Sequence, residues 1–146
     1  MEIQISSQRR IPGLKSRTIK QKLTKVLKDL ACHEKELSLL FTDNERIARL
    51  NDRYLGRKGP TNVLAFPMSG GPEPGVDSGM LGDVVVSVDT AISESTDLDE
   101  PLEHTIDRLI IHGILHLLGY DHEKSEAEAE RMENEEKRLM ALIMEV

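Results

Sequence analysis

A chain of 146 residues, 38% hydrophobic and 31% charged, suits one globular domain with its own core. Tryptophan is absent and aromatics make up only 3%. That excludes a core built on aromatic packing and a broad base-stacking surface. The single cysteine excludes an intrachain disulfide, no apolar run approaches membrane-spanning length, and a net charge of −7 excludes a uniformly basic surface.

The charge is unevenly spread. Residues 1–60 carry 14 basic and 7 acidic side chains, and residues 61–146 carry 5 and 19. A basic face that meets phosphates and an acidic opposite end would fit this split, as would two solvated helix surfaces. Cys32 reads as a small buried hydrophobe. Met1 to Ile5 lacks a basic region followed by an apolar one, so the expected location is cytoplasmic.

Glu2 to Ser6 alternates, with Ile3 and Ile5 on one side, and reads as a strand. Pro12-Gly13 is a turn, and Ser16 or Thr18 is the expected cap of a helix. In that helix Ile19, Leu23, Val26, Leu27 and Leu30 recur at helical spacing among Lys20, Lys22, Lys25 and Lys28. Lys22 and Lys25 are candidates for phosphate contact. Glu36 to Phe41 reads as a strand. Thr42 or Asp43 caps a second helix whose inward residues are expected to be Ile47, Leu50 and Tyr54.

Gly56 to Pro60 is a loop. Asn62 to Phe66, bounded by prolines, reads as an edge strand. Met68 to Gly79 holds four glycines and two prolines in twelve residues and reads as a loop, a candidate flap. Leu81 to Val88 is the strongest strand. Asp89 is the expected cap of a short helix from about Thr90 to Ser95. Pro101 opens the next helix. Glu123 to about Met144 forms the last, with Ala129, Met132, Leu139, Met140 and Ile143 inward. About four strands and five helices give an α+β domain over residues 1–146, a mixed sheet with helices packed on it.

The helix after Pro101 carries the chemistry. From Ile106 to Leu118 it is apolar almost all round, so it should be the buried central helix. Within it and just beyond lies His112-Gly113-Ile114-Leu115-His116-Leu117-Leu118-Gly119-Tyr120-Asp121-His122. Any one of these histidines alone reads as packing. His112 and His116, however, share one face across one turn. Gly119 offers a helix end that can turn His122 back toward them. Three nitrogens with a fourth position open is the plan of a catalytic zinc site; nickel or copper would also suit three imidazoles. Asp121 or Glu123 is a candidate base, or more simply a group orienting a histidine. Tyr120 reads as packing. Asp83 reads either as orienting a histidine or as ending a loop, and Thr61 and Asn62 as possible donors to substrate.

The spacing resembles the long zinc motif of metzincin proteases, but Gly113 stands where those enzymes carry the glutamate that serves as general base. With Gly113 there, a metallopeptidase becomes the weaker alternative. The version His-Gly-x-Leu-His-Leu-x-Gly-Tyr-Asp-His is similar to the signature of the YbeY family, bacterial metal-dependent endoribonucleases of rRNA maturation. Tyr54-Leu55-Gly56 with Pro60-Thr61-Asn62-Val63-Leu64-Ala65-Phe66-Pro67, and Leu81-Gly82-Asp83-Val84-Val85, follow that family's order.

The resemblance implies a zincin-like fold and one Zn2+ per chain on His112, His116 and His122, with His112 catalytic. It implies single-stranded RNA as substrate, rRNA and ribosomal subunits as partners, and neither DNA nor membrane. The implied role is 16S rRNA 3′-end maturation and 70S ribosome quality control; a non-catalytic ribosome-associated zinc protein is a further alternative. Some family members have an arginine, implicated in activity, directly after the tyrosine matching Tyr54. This chain has Leu55 there, and Arg57 in the same loop is the candidate substitute.

Overall fold

Ile3 and Ile5 alternate with polar residues, and this segment forms the first strand, β1 (Glu2–Ser7). The computed structural model describes residues 2–32, 34–68 and 79–144. After β1 come α1 (Ser16–Asp29), β2 (Glu36–Thr42), α2 (Asn44–Leu55), β3 (Val63–Pro67), β4 (Met80–Ser87), α3 (Val88–Asp97), α4 (Leu102–Leu117) and α5 (Glu126–Ile143). The stretch expected as a flap lies, apart from Met68 and Gly79, outside the described residues.

The strands form one mixed sheet in the order β1-β2-β4-β3. β1 and β2 are parallel, as are β2 and β4, while β3 runs antiparallel to β4 and forms the edge. The β4 run Val84-Val85-Val86 is buried on both faces, as a strand covered from both sides requires. Leu37, Leu39, Phe41, Val84 and Val86 face the large core shared with α1, α3, α4 and α5. Leu64 and Val85 face the other way and meet Ile47 of α2. The sheet is therefore covered by four helices on one side and one on the other.

The helix read as central is central. Ile106, Ile110, Ile111, Ile114 and Leu115 of α4 are fully or almost fully buried. Gly113 lies where α4 presses on the sheet: a Cβ there would come within 2.8 Å of a Val84 methyl and 3.3 Å of a Val63 methyl. The absence of a side chain sets how closely the histidine-bearing helix approaches β3 and β4.

The caps divide. Asp43 caps α2 by accepting the Arg46 N–H at 2.8 Å. α1 instead begins after Lys15, whose carbonyl already accepts the Ile19 N–H, so Ser16 and Thr18 are helical residues. Ser87, not Asp89, caps α3, accepting the Thr90 N–H at 3.2 Å. Asp89 sits in the first turn and accepts from the Asn44 N–H and from Arg9, each at 3.0 Å. α5 starts at Glu126 because Ser125 accepts the Glu128 N–H. Tyr54 does not face inward but is 58% exposed. In the last turn of α2, its ring meets Phe66 edge-on at 5.4 Å between centroids and lies under the Arg53 guanidinium at 5.4 Å.

Lys22 corrects the charge reading. It is 7% exposed, and its Nζ meets Glu103 at 2.5 Å and Asp107 at 2.8 Å on α4. Part of the basic N-terminal half thus serves the fold: Lys22 is not a phosphate contact but a buried ion pair fixing α1 to α4. α1 also packs on β1, at the sheet edge opposite β3. Among the described residues no helix is long and apolar enough to cross a membrane.

Candidate metal centre

His112 and His116 stand one turn apart near the end of α4. The helix then closes with two reversed bonds, Gly119 N–H to His116 O and Tyr120 N–H to Leu115 O, both 3.0 Å. Such a termination needs a positive φ at the residue after the cap, and Gly119 supplies 95°. The chain turns back, and Asp121 accepts the Glu123 N–H at 2.9 Å across His122, stiffening the return. The His122 ring centroid then lies 5.5 Å from each of the other two.

One nitrogen from each ring lies within 4.8 Å of the others. The Nε2 atoms of His112 and His116 are 3.0 Å apart. At metal–nitrogen bonds of about 2.0–2.1 Å, two tetrahedral ligands stand roughly 3.3 Å apart, so the donors are already gathered as an ion requires. The tautomer fits as well. His112 Nδ1 contacts the Glu136 carboxylate of α5, so that nitrogen carries the proton and Nε2 keeps its lone pair. Burial, then the His112 and His122 charges, hold the His116 imidazole below its ordinary pKa, which favours the neutral ligating form.

Glu136 went unread in the sequence because it is one of many acids on an acidic helix, 24 residues from its partner. It, not Asp121 or Glu123, is the carboxylate in contact with one of the candidate ligand histidines. Orienting carboxylates typically contribute 10- to 100-fold in metal affinity. Glu136→Gln is therefore expected to weaken divalent-metal binding about tenfold in chelator competition while leaving metal-free melting nearly unchanged. Equal affinities would make the contact incidental.

The histidines open onto a cleft of about 770 Å³ between β3, the loop after α2 and the turn at residues 119–124. Arg57 and Lys58 line the same cleft, as does the half-exposed Leu55. Asn51 holds their loop in place. It is 5% exposed, its Nδ2 donates to Gly59 O at 3.0 Å, and its carbonyl accepts the Arg57 N–H at 3.3 Å. No motif signalled this role.

Thr61 and Asn62 both line the cleft, but the Asn62 side chain is engaged in the fold, donating to Glu94 at 2.9 Å and accepting the Val63 N–H at 2.8 Å. Asp83 lies inside β4, opposite Phe66, and does not end a loop. It alternates with Val84, which faces α4, so its side chain points away from the histidines. Tyr120 packs as expected, beneath the Arg131 guanidinium at 4.5 Å.

Fold and centre together define an α+β protein with a candidate three-histidine metal site open to a cleft that Arg57 and Lys58 also line. The chain belongs to the YbeY family: the family model "Endoribonuclease YbeY" matches residues 2–144. It is 42% identical over 144 residues to the endoribonuclease YbeY of Syntrophus aciditrophicus, covering 98% of this chain and 90% of that one. It is 41% identical to that of Syntrophotalea carbinolica, covering 98% and 96%. A solution structure from Thermotoga maritima shares the fold, with a TM-score of 0.65, 22% identity and coverage of 97% of this chain and 88% of that one.

Proposed function

We propose that this chain is a single-strand-specific zinc endoribonuclease, cytoplasmic and formed as one domain over residues 1–146. Its proposed role is 16S rRNA 3′-end maturation and 70S ribosome quality control, with rRNA and ribosomal subunits as partners. The observation that carries the reading is that Arg57 and the three histidines line one cleft in a chain of the YbeY family. The curated relatives are named endoribonucleases.

His112, His116 and His122 would hold the zinc ion, one per chain. When bound it supplies a Lewis acid that polarises a phosphoryl oxygen and acidifies water. Glu136 keeps His112 in its ligating tautomer. Arg57 lines the same cleft, where its guanidinium can bind a phosphate oxygen and balance the negative charge that gathers in phosphodiester cleavage. The peptidase alternative loses ground on packing: the position of the protease base is Gly113, pressed against Val84 and Val63.

The test exploits Leu55. Leu55, the last residue of α2, and Arg57, in the loop that follows, line the same cleft, so a guanidinium at either position can serve it. Arg57→Ala is expected to slow single-turnover cleavage of a single-stranded oligoribonucleotide about 100-fold, the scale of one lost transition-state donor. Adding Leu55→Arg to Arg57→Ala should restore much of the rate. If Arg57→Ala weakens binding but leaves bound-state cleavage intact, Arg57 only docks RNA. Robust zinc-dependent hydrolysis of a peptide panel, without RNA cleavage, would replace the reading with the peptidase.

A further inference from the structure

β3 forms the wall of the cleft facing the histidines, and its outer edge pairs with nothing among the described residues. Which backbone groups that edge presents follows from the register. Ser87 N–H donates to Asn62 O, and Met68 N–H donates to Leu81 O. In an antiparallel pair the hydrogen-bonded positions alternate. Positions 62, 64, 66 and 68 therefore point their N–H and C=O groups at β4, and positions 63, 65 and 67 point theirs outward. The outward set is unusual for an open edge. The Val63 N–H is covered by the Asn62 side chain at 2.8 Å. Pro67 has no N–H. Ala65 alone offers both a donor and an acceptor, flanked by the Val63 and Pro67 carbonyls.

We infer that Ala65 is a nucleobase subsite: its N–H and C=O receive the Watson–Crick edge of one unpaired base beside the metal centre. The inference rests on the ribonuclease reading and deepens it. A peptide strand added to an edge needs a ladder of alternating donors and acceptors. Here that ladder is cut on both sides, by Asn62 and by Pro67, and a single donor–acceptor pair remains. The match is a small planar group with one donor beside one acceptor.

Every nucleobase carries such a pair on its Watson–Crick edge: N6–H and N1 in adenine, N4–H and N3 in cytosine, N1–H and O6 in guanine, N3–H and O4 in uracil. The subsite would accept any of the four. It would refuse a base already paired, because pairing occupies that edge. Single-strand specificity then arises at the strand edge, while Arg57 and Lys58 on the neighbouring loop meet the backbone phosphates.

The test removes one hydrogen. Proline is tolerated on an edge strand where its missing N–H faces outward, so Ala65→Pro deletes the donor while the ladder to β4 remains. Zinc-loaded wild type, Ala65→Pro and Ala65→Gly are compared on a single-stranded oligoribonucleotide. The same strand is also tested as a duplex, and with N3-methyluridine replacing each uridine beside the cleavage site. Ala65→Gly keeps the N–H and should lose less than Ala65→Pro. Ala65→Pro should lower kcat/KM on the single strand roughly 5- to 10-fold, the scale of one net hydrogen bond, and narrow the preference over duplex. Methylation should cost wild type a similar factor, and cost Ala65→Pro less.

Wild-type rates on methylated RNA, together with wild-type behaviour of Ala65→Pro, would overturn the subsite and leave the ribonuclease standing. If Ala65→Pro fails to fold, the methylated strand on wild type decides alone. Capture of an extended peptide, lost in Ala65→Pro while RNA cleavage is unchanged, would reassign the edge to strand addition. Absence of RNA cleavage by wild type would remove the ribonuclease reading itself.

Discussion

His116→Ala is expected to take bound divalent metal from about one equivalent per chain to nearly none, measured by metal analysis of protein purified in parallel with wild type. His116 is the middle member of the set: its Nε2 faces that of His112 at 3.0 Å, and its ring centroid is 5.5 Å from that of His122. Without it the other two ligands come from a helix and a turn with no group between them. A two-imidazole site in water competes poorly with buffer and chelators, whereas three nitrogens held in place form the usual catalytic set. The variant should fold, because His116 is only partly buried and alanine suits a helix. Equal metal in both proteins would refute the site as drawn.

The second large effect is expected at Gly113. Gly113→Glu, which writes the protease motif into the sequence, should cost more than 3 kcal/mol or prevent folding. Even a methyl group would stand 2.8 Å from Val84 Cγ1 and 3.3 Å from Val63 Cγ2. Those methyls belong to β-branched strand residues with little rotamer freedom. Overpacking of this kind costs about 1–3 kcal/mol, and a carboxylate in the same contact adds desolvation. Gly113→Ala isolates the first contribution and should lower stability by about 1–3 kcal/mol in denaturant melts. A Gly113→Ala chain as stable as wild type would show that α4 can lift from the sheet, and that packing does not exclude a side chain there.

The three-histidine cluster was legible because its pattern is local. Three imidazoles in eleven residues on a helix and its closing turn are fixed by helical periodicity and by one glycine. The α+β class was legible for the same reason, since Val84-Val85-Val86 and the α4 run declare themselves by composition. What stayed hidden is what distant segments do to one another. Glu136 looks like any other acid on α5 until α5 packs beside α4. Asn51 looks like a helix-surface amide until the loop folds back onto it. Lys22 shares its spacing with solvated lysines, and only the Glu103 and Asp107 carboxylates on α4 show it to be buried. Arg57 was singled out by nearness to a motif; its place in the cleft depends on how α2 ends.

The contact between Glu136 and His112 joins helices whose paired residues lie 24 positions apart, so the ligand set is not a property of the histidine motif alone. A segment carrying only α4 and its turn would contain every donor and lack the group that selects the tautomer. Thermodynamic reciprocity follows. Whatever factor the docking of α5 adds to metal affinity, a bound ion adds to the docking of α5. An ion held there and the last helix would be each other's effectors, and loading the centre would tighten a part of the molecule that never touches the metal.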